Sequence, residues 1–258
     1  MTSITAESDT FKFLFCMDVD NPSVSRLSEK FVPKHPLLDA IIVCGPFVHE
    51  TMSTREEIAV AESDMSSLVA QLENIVCRVM YLPAETDPTN ALSHQLHLTP
   101  NSVNIHAREL HLASGLRLFG FTEKSSGLDS QEVVEDDDDE VAADITLQSG
   151  TSISIIQEIL DASTPVKSFG IFALSCKYSH TLNQFLFHIP ESLKAAGIRM
   201  CVIATENEDS SRLPSKLGDL VIVGLKSLRH TSQYVIVDLQ RSKETGLWSV
   251  VAQEEHRL

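Results

Sequence analysis

Residues 78–90 read RVMYLPAETDPTN, and the way this stretch breaks decides the fold. Val79-Met80-Tyr81-Leu82 is a short apolar run of the length and composition of a buried strand, and it ends abruptly on Pro83. Two carboxylates, a threonine and a second proline follow, which is how an α/β strand gives way to a functional loop. Upstream, residues 54–76 read as a long amphipathic helix, with Thr54 and Glu57 spaced as a capping box. Before it, LDAIIVCG (38–45) is a second buried strand. Val24, Leu27 and Phe31 recur at helical spacing after Asn21-Pro22, and FKFLFCMD (11–18) is a first strand. Strand, helix, strand, helix, strand predicts parallel strands joined by right-handed crossovers, hence the α/β class.

Downstream of the quoted stretch the pattern changes. Residues 103–107, 109–113 and 116–121 alternate polar and apolar side chains around a Ser114-Gly115 turn, predicting half-exposed antiparallel strands. Residues 123–149 are acidic and of low complexity, predicting a disordered insertion that acts as a solvated spacer or as a docking tail for a basic partner. The α/β pattern then resumes with a helix at 152–160, a strand at 168–176 and a helical stretch over 180–197 closing on Gly197. Strands at 198–205 and 219–224 follow, and 234–240 with 247–253 form a closing hairpin.

Composition narrows the class. An apolar content of 43% is ample for a core, and no run approaches the ~18–20 apolar residues of a membrane helix. The first twenty residues lack the basic start and long apolar run of a secretory signal, so a cytoplasmic or nuclear protein away from the membrane is expected. Five cysteines without CxxC spacing, each in or beside an apolar run, read as buried reduced thiols. The net charge is −16; residues 129–144 hold nine acids and no Lys or Arg, which leaves −7 for the rest. An acidic chain of this kind offers no basic stripe for a phosphate backbone, so direct nucleic-acid binding is not expected. No GxSxG, GxGxxG or Walker A pattern occurs.

The strand ends carry, in order, Asp18-Val19-Asp20-Asn21, Gly45-Pro46-Phe47-Val48-His49, Pro83-Ala84-Glu85-Thr86-Asp87, Ser175-Cys176, Ala204-Thr205-Glu206-Asn207 and Gly224-Leu225-Lys226-Ser227-Leu228-Arg229. This order resembles the calcineurin-like metallophosphoesterase superfamily, whose signature runs D-x-H, G-D-x-x, G-N-H-D, a lone His, G-H-x-H and a terminal N-P-G-S-x-R. The resemblance implies a four-layer αββα sandwich of two mixed sheets flanked by helices, covering residues 11–255 with the acidic insertion inside it. It also implies two metals bridged by one Asp, which activate water and neutralise the phosphate.

Against that signature the chain is a degenerate member. Asp18 matches the first Asp, but Asp20 stands where His is expected and Pro46 replaces the bridging Asp. Ala84, Glu85 and Thr86 replace Gly, Asn and His, leaving Asp87; Ser175 or Cys176 stands for the lone His, and Thr205 and Asn207 for the late pair. The terminal element is best kept, as GLKSLRHTSQYVIVDL (224–239). Asp18, Asp20, Glu85 and Asp87 then form a vestigial all-oxygen site, suited at most to a weak Mg²⁺ or Ca²⁺. His49 reads as a surface residue, and His94, His97, His106 and His111 as a group of mixed facing. A local resemblance links CGPF (44–47) and PAETDPTN (83–90) to the phosphoesterase-like domain of DNA polymerase B (small) subunits, although the chain leaves no room for the OB domain those subunits carry.

The resulting expectation is a non-catalytic binding or scaffold module with a protein partner, no catalytic residue and no required cofactor. The alternatives are a metal-dependent phosphoesterase with a carboxylate-rich site, and a polymerase-accessory protein of the B-subunit kind.

Overall fold

The computed structural model describes residues 9–31, 38–49, 52–76, 78–123, 168–176, 190–205 and 213–258. Strand β1 (Thr10–Met17) shows why the chain layers as it does. Phe11, Phe13, Phe15 and Met17 join one apolar cluster, while Leu14 and Cys16 join another on the opposite face. A strand buried on both sides needs apolar residues at nearly every position, and FKFLFCM supplies them.

Helix α1 (Asn21–Phe31) starts at Asp20, whose Oδ1 accepts from Ser23 N (2.9 Å) while Ser23 Oγ accepts from Asp20 N (3.0 Å). Its buried stripe of Val24, Leu27 and Phe31 is the one the spacing predicts. Strand β2 (Ala40–Cys44) lies parallel to β1, and helix α2 (Arg55–Glu73) opens on the expected capping box: Glu57 N donates to Thr54 Oγ1 (3.2 Å) and Thr54 N to Glu57 Oε2 (2.9 Å). Thr54→Ala is expected to cost about 1 kcal/mol, read as a lowered urea midpoint at unchanged slope. Strand β3 (Val79–Leu82) is parallel to β2, and a short helix α3 (Thr89–Leu92) follows.

The middle of the chain departs from the expected meander. Strand β4 (Ser102–Asn104) pairs parallel with β3, not antiparallel with its successor. The chain then crosses to a second sheet, with Ile105 N donating to Tyr81 O (3.0 Å) and Ala107 N to Gly120 O (2.8 Å). Strands β5 (Arg108–Ala113) and β6 (Leu116–Thr122) do form the antiparallel hairpin about Ser114-Gly115, but β6 is buried along its whole length. The reason is position: β6 is flanked by β5 and by the parallel strand β7 (Phe169–Cys176). Gly120 permits the crossing, because a Cβ there would lie 2.6 Å from the Ile105 carbonyl oxygen.

Helix α4 (Pro190–Ala195) and Gly197 (φ 76°) lead into β8 (Ile198–Thr205), followed by β9 (Lys216–Leu217) and β10 (Leu220–Leu225). A single turn of helix, α5 (Leu228–Thr231), returns the chain to the first sheet as the hairpin β11 (Gln233–Arg241) and β12 (Trp248–Arg257). The sheet orders are β12-β11-β1-β2-β3-β4 and β5-β6-β7-β8-β10-β9, both mixed. One apolar cluster fills the space between the sheets, a second packs α1 and α2 on the first sheet, and a third packs α4 on the second. This is the expected four-layer αββα arrangement.

The expected helix at 152–160, most of that at 180–197, Cys77 and residues 124–149 of the acidic insertion lie outside the described residues. Glu123, read as the first residue of that insertion, is instead buried, with its backbone N–H donating to Ser175 O (2.9 Å). The four described cysteines are free and buried; burial pushes the Cys44 thiol up to about 12 and the Cys16 and Cys201 thiols further, as inert core thiols require. No helix among the described residues is long and apolar enough to cross a membrane.

Candidate functional site

The carboxyl ends of β1 and β2 and the loop before α5 converge on Asp18. This residue takes the left-handed conformation (φ 53°), a cost of roughly 1–3 kcal/mol for a residue with a Cβ. The surroundings hold it: Asp18 N donates to Cys44 O (3.1 Å), and Asp18 O accepts from Arg229 N (3.0 Å). Its side chain is nine-tenths buried. Oδ2 accepts from Ser227 Oγ, which itself accepts from His230 N (3.0 Å). Oδ1 has no hydrogen-bond partner among the described residues and lies 3.4 Å from His49 Nε2; His230 Nε2 is 3.9 Å from Oδ2. The well-kept terminal string thus meets the first Asp across the two sheets.

The other three carboxylates of the expected site are placed differently. Asp87 is 3% exposed, and both its oxygens are spent on backbone: Oδ1 accepts from Phe47 N (2.7 Å) and Val48 N (3.0 Å), Oδ2 from Ala84 N (2.7 Å). This one side chain ties the loop after β2, with its cis Gly45-Pro46 bond, to the loop after β3. Gly45 makes the tie possible, since a Cβ there would come 2.4 Å from Asp87 Oδ2. Asp20 caps α1, with its Oδ2 3.8 Å from Arg229 Nε. Burial raises the Asp20 pKa, but the Ser23 hydrogen bonds and Arg229 outweigh it and hold the carboxyl below its usual range. Glu85 is half-buried on the loop between. Among the described residues, no three His, Cys, Asp or Glu side chains are grouped to hold a metal ion.

His49 lies at the surface, as read from the sequence, with its ring partly covered beside Asp18. Burial holds its pKa below the usual imidazole value, against the pull of Asp18 and with the help of Arg229. The dense histidines do not form one cluster. His106 is buried and its Nδ1 accepts from Thr122 N (3.1 Å), while Asn104 Oδ1 accepts from His106 N (2.9 Å). Thr122 Oγ1 donates to Pro83 O, stitching β6 to the loop after β3. His94 stacks on His106 at 6.1 Å, and burial followed by Arg108 lowers its pKa; His97 and His111 are exposed.

A pH dependence follows. His49 and His94 resist protonation when folded and accept it freely when unfolded, so the unfolded chain binds more protons below about pH 6.5. Stability present above that value is lost as pH falls through the lowered folded pKa values. Urea midpoints measured from pH 7.5 down to 5 are expected to decline, and less steeply in His49→Gln with His94→Gln.

No family model and no curated protein matches the chain. Solved structures do. A protein designated TT1561 from Thermus thermophilus superposes at a TM-score of 0.55 with 14% identity, over 96% of this chain and 99% of that one. Another crystal structure superposes at 0.60 with 12% identity and the same coverage. An archaeal phosphodiesterase matches at 0.43 with 11% identity, over 96% of this chain and all of that one, too loose to bear on function. The chain shares its fold, a four-layer αββα sandwich of two mixed sheets, with the first two of these solved structures.

Proposed function

We propose that the chain is a non-catalytic binding or scaffold module built on a phosphoesterase-like fold, with a protein as its partner. The observation that carries this reading is the use made of Asp87. A carboxylate that accepts three backbone N–H bonds has little lone-pair capacity left for a metal, and its role is to fix two loops. Pro46 offers no side-chain donor at the end of β2, and Asp20 is engaged as a helix cap. These residues do not fit a two-metal centre.

The same tie supports a role like that of polymerase B subunits. The two stretches that carry that resemblance, 44–47 and 83–90, are the two that Asp87 joins. Loops held rigid in this way suit a preformed contact surface.

A second reading is favoured by one atom. Asp18 Oδ1 is buried, without a hydrogen bond among the described residues, and close to His49, an arrangement suited to one weakly bound divalent cation in an atypical phosphoesterase. Hydrolysis of bis(p-nitrophenyl) phosphate with added Mg²⁺, Ca²⁺, Mn²⁺ or Zn²⁺ separates the two. The binding-module reading expects rates equal to those of Asp18→Ala at every cation. Turnover abolished by Asp18→Ala establishes the enzyme reading instead.

A further inference from the structure

We draw no further inference here: the strongest candidate, the outer edge of β12 at the end of the first sheet with its exposed Val251 and Glu254-Glu255-His256-Arg257 run, carries nothing, because the acids and bases there offset one another and nothing among the described residues shows what covers it.

Discussion

Asp87→Ala is expected to destabilise the chain by about 3–5 kcal/mol, because it strands three backbone N–H groups at once, those of Phe47 and Ala84 buried and that of Val48 partly so. For a chain of this length that is a fall in Tm of roughly 10 °C, measurable by thermal melting or urea titration. Asp87→Asn keeps one acceptor oxygen and turns an NH2 group toward the donors on the other side, so an intermediate loss is expected. Gly45→Ala attacks the same tie from its other end, since its Cβ would press on Asp87 Oδ2 at 2.4 Å and on Ala84 N at 2.5 Å. The double variant Gly45→Ala with Asp87→Ala should lose less than the sum of the two, because both break one contact. Additive losses would show that Asp87 does not hold the loops in the way its hydrogen bonds imply.

Arg117→Met is the second large effect, about 3 kcal/mol. The guanidinium is almost wholly buried on β6, where Nη1 pairs with Glu109 Oε1 (3.0 Å) and Nη2 donates to Ala196 O (2.6 Å). It also lies 5.3 Å from the Phe119 ring. Methionine fills the volume and leaves the Ala196 carbonyl without its donor at the end of α4. Amide exchange of residues 193–197 should therefore accelerate beyond the global change. Arg117→Lys should recover little, since one ammonium cannot reproduce the fork that serves Glu109 and Ala196 together. Full recovery by lysine would mean that charge alone, without geometry, holds this corner.

These two residues also show where the sequence was and was not legible. Alternating strands and helices were readable from β1 to β3 because strands buried on both faces are continuously apolar, and because Thr54 and Glu57 announce α2. The middle was misread because periodicity reports which faces are buried, not which strand lies alongside. LRLFGF looks half-exposed on account of Arg117 and Gly120, yet the first is a buried ion-pair partner and the second a close crossing.

What the site's carboxylates touch was not legible for a related reason. A carboxylate after a strand looks the same in sequence whether it faces a cation or three backbone N–H groups, and only the folded loops bring Phe47 and Val48, some forty residues away, to Asp87. Asp20 was more legible than the reading allowed. Asp followed three residues later by Ser, at the start of a helix with proline in its first turn, is a capping signal.

The central claim is that Asp20 and Asp87, at the ends of β1 and β3, hold backbone rather than a pair of metals. Calorimetric titration of the full chain with Mn²⁺ and with Zn²⁺, repeated on Asp18→Ala and Asp87→Asn, tests it most directly. The account predicts no pair of tightly bound ions, and at most one weak equivalent that disappears with Asp18→Ala and persists in Asp87→Asn at a temperature where that variant is folded. Two equivalents bound at about micromolar affinity or better, lost together in both variants, would contradict it.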